Sequence, residues 1–236
     1  MKLLARLAFV SIRAMLRPNL AALDASECHF RVLPTDLDVQ LHMNNGRFLQ
    51  IMDLGRIDLL LRNGVLQNAM SKGWRMLLSG VMIRYVHELR PFERYALRTR
   101  ILGWDRRFFY IEHRFENSKG RLVALGTARA AIADRASRSL VPADHVAADH
   151  GHAKSPALPF FVRTWNESDS QMRKEASAIE RQQDAAQRSD ELDWRRWGLH
   201  PAMNERVPMP EEAPSLHEEI GNMPVPLNSL EGTAST

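Results

Sequence analysis

The sequence predicts an α+β fold in which an antiparallel sheet wraps around one central helix. Three observations carry this. From Asn45 to Arg62 the residues Phe48, Ile51, Met52, Gly55 and Leu59 recur at the spacing of one buried helix face. Five strand-like runs surround that segment, one before it and four after it. The last two runs are joined by Asn117-Ser118-Lys119-Gly120, a turn of hairpin length and composition.

In chain order, residues 1–17 hold Lys2, Arg6, Arg13 and Arg17 and no acid. At 3.6 residues per turn these cations share one stripe, with Leu3, Leu4, Leu7, Ala14 and Met15 opposite. So many charges argue against a spanning helix, which needs about 20 mostly apolar positions. Arg13 and Arg17 also interrupt any signal-peptide core. Two readings remain open, an in-plane membrane anchor and a helix docked on the domain or a partner.

Glu27 to Val32 reads as the first strand, closed by Pro34. Asn63-Gly64 is a stop for the central helix. Gly55 lowers helix propensity by about 1 kcal/mol relative to Ala, so its place on the packed face predicts a close approach to the sheet. The later strands are read at Arg75 to His87, Tyr95 to Leu102, Phe108 to Glu116 and Arg121 to Ala133. Beyond Asp144, Leu158-Pro159-Phe160-Phe161 and Trp165 are read as anchors returning to the body. Ser168 to Trp197 suits an exposed helix, and the Pro-, Glu- and Ser-rich stretch after Pro201 is too polar to offset its chain entropy and is expected to be disordered. The predicted organisation is a basic amphipathic helix at 1–24, a catalytic-type domain at 25–166 and a charged extension at 167–236.

Charge is divided unevenly. Residues 1–165 carry 25 Lys+Arg against 14 Asp+Glu, and 166–236 carry 7 against 14. A basic body suits a polyanionic ligand or a membrane surface; without aromatic-basic interleaving or a helix-turn-helix pattern, nucleic acid is not expected as a partner. The single cysteine, Cys28, excludes an intrachain disulfide and any Cys-x-x-Cys site, which suits a reducing, cytoplasmic compartment. Cys28 itself is read as a small buried hydrophobe. There is no Gly-x-Ser-x-Gly elbow, P-loop or dinucleotide fingerprint. His145, His150 and His152 match no strong metal-ligand spacing and are read as a solvated loop.

The chemistry gathers just before the central helix, in Thr35-Asp36-Leu37-Asp38-Val39-Gln40-Leu41-His42-Met43-Asn44-Asn45-Gly46-Arg47-Phe48. A helix start offers unpaired N–H groups and a positive dipole end, a ready site for a developing oxyanion. On the residues alone, capping by Asn44 or Asn45 competes with catalysis.

This segment resembles the signature of hotdog-fold thioesterases, the 4-hydroxybenzoyl-CoA and acyl-carrier-protein thioesterases among them: an Asp, three residues, a His, one residue, then Asn-Asn and the helix. Asp53 and Arg56 recur at that family's offsets beyond Asn45. Tyr85 to Phe92 and Leu102-Gly103-Trp104-Asp105-Arg106-Arg107-Phe108-Phe109-Tyr110-Ile111-Glu112 resemble the branch of thioesterase superfamily member six. The resemblance covers roughly residues 27 to 170. It implies a hotdog fold, hydrolysis of acyl-CoA or acyl-carrier-protein thioesters without metal or cofactor, a role in lipid metabolism, and a homodimer or dimer of dimers with sites at the interface. Asp38 is then the base or nucleophile. His42 is a candidate to orient a carboxylate, hold water or donate to the carbonyl. Amides at Asn45, Gly46 and Arg47 would polarise the carbonyl, with Asn44 and Asn45 positioning them. Asp53 is a rival acid whose other reading is an i,i+3 partner for Arg56. Gln40 stands where acyl-carrier-protein thioesterases carry Asn, and Leu41 replaces the Gly common before the His. The rival function is a membrane-associated lipid or acyl-carrier binder using the same pocket without turnover; a hydratase on the same fold fits the helix-start motif less well.

Overall fold

A computed structural model describes residues 3–152 and 154–197. The tail after Pro201, expected to be disordered, and Lys2 lie outside them. Contacts divide the chain into two compact units, Met1–Ser170 and Gln171–Thr236. The first begins with α1 (Leu3–Met15), β1 (Ser26–Arg31), a short 3-10 turn (Pro34–Asp36) and α2 (Asn45–Arg62). There follow α3 (Val65–Ser71), β2 (Trp74–Tyr85), β3 (Arg94–Trp104), β4 (Phe109–Asn117), β5 (Leu122–Asp134), the two-residue β6 (Leu140–Val141) and α4 (Ala143–Ala148). The last helix, α5 (Phe160–Trp197), begins in the first unit, and its later part is what is described of the second.

The sheet is antiparallel throughout, in the order β1-β3-β4-β5-β2, with β6 added to β5. α2 lies on one face of it. Phe48, Ile51, Met52 and Leu54 are buried there against Leu97, Phe115, Ala124 and Ala128. This is the hotdog arrangement. Small residues make the close approach possible: a Cβ on Gly55 would lie 2.5 Å from Thr99 Oγ1 and 2.6 Å from Leu97 Cδ2. Gly126 of β5 in turn leaves room for the Met52 thioether.

The middle of the α2–sheet contact is polar, which the apolar spacing does not disclose. Thr99, His113, Gly126 and Ile83 lie in one register row across β3, β4, β5 and β2. The buried Arg56 guanidinium donates to His113 Nε2 at 3.3 Å, so the ring's Nδ1–H is left to donate to Thr99 Oγ1 at 3.2 Å. Burial, then the Arg56 charge, push the His113 pKa well below its ordinary value, and burial brings Arg56 down to about 10. A histidine that stays neutral when folded but titrates near pH 6.5 when unfolded contributes its stability in full above that pH. As pH falls below about 6.5 the unfolded chain takes up a proton the fold refuses, costing up to about 1.4 kcal/mol per pH unit. Urea midpoints followed through that range should fall more steeply for the wild type than for His113→Gln.

α1 docks on α2, and its orientation corrects the expected split into a cationic and an apolar side. Arg6 is buried together with Val10 and Ala14, and its guanidinium grips Asp36 through both nitrogens, at 3.0 and 2.6 Å. Arg17 donates to the Glu27 carbonyl at 2.8 Å and lies 3.7 Å from the buried Asp58. Leu3 and Leu7 face the core, whereas Leu4 and Met15 point to solvent.

Part of the other sheet face, around β4 and β5, is covered by the chain from Leu158 into α5. Leu158, Val162 and Trp165 pack against Phe108, Tyr110 and Ala131. Arg129 of β5 lies between the Phe108 and Trp165 rings and pairs with Asp169 at 2.6 Å. Of the expected anchors, Phe160 and Phe161 are exposed, because helical spacing turns Val162 inward in their place. Cys28 is buried, and desolvation with the nearby Asp58 charge raises its thiol to about 12.

Candidate active site

The loop ahead of α2 is a closed ring. Asp38 N–H donates to the His42 carbonyl at 3.0 Å, Leu41 N–H to the Asp38 carbonyl at 3.1 Å, and Leu37 bridges Met43. This brings the two side chains together across four residues: Asp38 Oδ2 lies 3.2 Å from His42 Nδ1. Asp38 Oδ1 accepts from Gln40 N–H at 2.9 Å, and His42 Nε2 lies 2.8 Å from Gln40 Oε1. Gln40 therefore closes an Asp–His–Gln chain. Both ring nitrogens thus face oxygens, and turning the Gln40 amide over would present an N–H to the ring instead.

Leu41 sits at φ +60°, the left-handed region that disfavours a side chain with Cβ. Leu41 stands where the resemblance has Gly, and the backbone keeps the conformation glycine would adopt. Replacing it should relieve about 1–2 kcal/mol of strain and return about 0.5–1 kcal/mol of chain entropy. Leu41→Gly is thus expected to raise the thermal midpoint slightly, by about 2–4 °C per kcal/mol gained, measured by calorimetry.

The ring is fastened from behind by Asp36. Its buried carboxylate accepts from Arg6 and from Leu33 N–H at 2.9 Å and forms an ion pair with Arg47, Nε lying 3.2 Å away, while its carbonyl accepts from Asn44 N–H. Sequence reasoning gave Asp36 no role, since its partner Arg6 is 30 residues away.

Asn44 is the N-cap of α2. Its side chain accepts from Gly46 N–H at 2.8 Å and its carbonyl from Arg47 N–H at 2.9 Å. Two of the three amides expected to face an oxyanion are thereby engaged. Asn45 N–H has no hydrogen-bond partner among the described residues. Beside it opens a hollow of about 230 Å³ lined by His42, Asn45, Phe48, Tyr85, His87 and Glu88. The Tyr85 hydroxyl donates to the Asn45 carbonyl at 2.9 Å, and partial burial raises its pKa. Tyr85, His87 and Glu88 were not singled out as site residues; the sequence signal was the Tyr85-to-Phe92 resemblance. Asp38 lies behind His42 rather than in the wall of this hollow.

Asp53 is about two turns beyond Asn45 along α2 and pairs with Arg56. It borders a separate trough of about 400 Å³ whose walls include Gln50, Leu54, Ile57, Leu60 and Met76. The structure does not bring it to Asp38 and His42. Of the late histidines, His150 lies 3.2 Å from the Asn68 amide and His152 stacks edge-on to Trp104.

A hotdog sheet with an Asp–His pair set at the start of its central helix defines a thioesterase-type fold. The chain belongs to the thioesterase-like superfamily, whose family model matches residues 32–212. It is 43% identical over 93 residues to protein THEM6 of Xenopus laevis, covering 39% of this chain and 45% of that protein. It is 40% identical over 87 residues to protein THEM6 of Danio rerio, covering 37% and 43%. The matches thus span less than half the length of these relatives. Two solved structures share the fold at 15% identity. The probable thioesterase YbaW of Escherichia coli has a TM-score of 0.50 over 52% of this chain and 94% of its own. The putative oleoyl thioesterase of Lactobacillus plantarum has 0.51 over 59% and 55%.

Proposed function

We propose that this protein hydrolyses acyl thioesters of coenzyme A or acyl-carrier protein, with Asp38 and His42 acting as one unit. The observation that carries this reading is the 3.2 Å Asp38–His42 pair beside a hollow that also presents the unengaged Asn45 N–H. The thioester carbonyl takes the hydrogen bond of Asn45 N–H. A water attacks it, and its proton passes to the Asp38–His42 pair, Asp38 as base through the ring that it orients. The tetrahedral oxyanion is held by the amide at the positive end of α2, then collapses and expels thiolate, which recovers the proton. The products are a free thiol and a carboxylic acid, which ionises to carboxylate by releasing its proton to water. No metal or cofactor is required by these steps.

One observation favours the second reading, a binder without turnover: both Asp38 oxygens and the Gly46 and Arg47 amides already have partners. Free-thiol release from short, long and aromatic acyl-CoAs and from the matching acyl-carrier-protein thioesters, wild type beside Asp38→Ala, separates the two. Release that is lost in the variant supports hydrolysis; no release from any substrate by folded protein, with retained ligand binding, supports the binder.

The active assembly is a homodimer formed along β2. Among the described residues that strand ends the sheet, bonded on one side only to β5, and it leaves Leu78 and Met82 exposed. A long unpaired edge with apolar side chains is a template for a second copy.

A further inference from the structure

We infer that α1 is an in-plane anchor that seats this protein on a phospholipid surface. At about 100° per residue, Leu4, Ala5, Ala8, Phe9, Ile12 and Met15 occupy an unbroken arc of about 140° with no polar side chain in it. All of them are exposed, Leu4 at 74%, Ile12 at 60% and Met15 at 71%, and Leu16 continues the patch at 82%.

The helix cannot hide this arc by rolling. Its opposite side is pinned by the buried Arg6–Asp36 pair, and just beyond its end Arg17 is tied to the Glu27 carbonyl. The arc's orientation is therefore part of the fold.

A bilayer suits this surface better than a protein partner does. Leu4 to Met15 is about 18 Å of helix some 10 Å across, a footprint of roughly 200 Å², against the ~800 Å² per partner of a stable protein interface. A convex strip of aliphatic and aromatic side chains needs no matching groove in a bilayer, where it sinks to the acyl boundary. Arg13 is exposed at the border of the arc, and no acidic residue lies between Leu3 and Arg17, which complements an anionic headgroup layer. Among the described residues no helix is long and apolar enough to cross a membrane, so the contact is one of lying on the surface.

The test is co-sedimentation of the full-length protein with phosphatidylcholine–phosphatidylglycerol vesicles, for wild type, Ile12→Glu and Ile12→Glu/Leu16→Glu. Both sites are solvent-exposed, so far-UV circular dichroism and the thermal midpoint should stay at wild-type values. Wild type is expected to pellet with the vesicles, with partitioning down on the order of tenfold in the single variant and a hundredfold in the double. Should Ile12→Glu alone fail to fold, Ile12→Ser/Leu16→Ser is read in its place. The inference is overturned if folded wild type stays in the supernatant, or if the double variant pellets as wild type does. It is also overturned if vesicle binding is absent and the double substitution lowers the mass seen in sedimentation velocity, which would make the arc a contact between copies. None of these readouts depends on thioester turnover.

Discussion

Asp36→Asn should be the most destabilising isosteric change in the first unit, by about 3–5 kcal/mol. The shape is kept, but the charge that neutralises the buried Arg6 is removed, and the new amide turns an N–H toward one of the guanidinium groups that now surround it. Arg6 and Leu33 N–H donate to this carboxylate and Arg47 pairs with it, and it is almost wholly buried, so water cannot share the load. For a domain of this size each kcal/mol moves the thermal midpoint by about 2–4 °C, so a fall of roughly 6–20 °C is expected in calorimetry. The cost arises from the orphaned cation more than from the lost pair. Arg6→Met/Asp36→Leu should accordingly recover much of what Asp36→Asn loses. A shift within about 2 °C for Asp36→Asn would mean that Arg6 reaches water without its partner.

The second large effect is kinetic. If hydrolysis proceeds as proposed, Asp38→Ala lowers kcat/KM for the best acyl-CoA by about 10²–10⁴, the usual range for a positioned proton acceptor. His42→Ala should lose a similar factor, and the double variant no more than the worse single one, because groups that pass one proton between them fail together. Losses that multiply would show two independent roles. Folding should be little affected in either, as both side chains keep some contact with water, 22% for Asp38 and 27% for His42. Purified variants can be compared at matched concentration, with unfolding curves as the control.

The five long strands were legible to within a few residues at their ends, whereas the two-residue β6 was not. Period-two patterning and strong punctuation at Pro34, Asn63-Gly64 and Asn117–Gly120 leave little freedom in where they start and stop. Gly55 was legible for a related reason: a glycine on the buried face of a helix has few explanations besides close packing, and Thr99 and Leu97 are what it meets. Contacts between distant segments were not legible. Arg6 reads as one cation in a solvent-facing stripe until Asp36 is folded beneath it, and the Phe160–Phe161 pair looks like an anchor until the start of α5 sets its phase. The seven residues of α3 and six of α4 are too short for helical periodicity to stand out. At the site, the residues Asp38, His42, Asn44 and Asn45 were named from the motif, and the structure gathers them in one loop and helix start. Which amides remain free depended on where one Asn side chain points, and spacing carries no such information.

Among the described residues β2 is hydrogen-bonded on one side only along its twelve residues, and under the proposed pairing protein concentration becomes a variable of this system. If a second copy closes that strand, the folded pair is linked to protomer by mass action, and midpoints of unfolding rise with the amount of protein in the cell. Dilution assays would then report association and turnover together. A specific activity that declines on dilution would then reflect the dissociation constant of the pair rather than any slowing of the proposed hydrolysis.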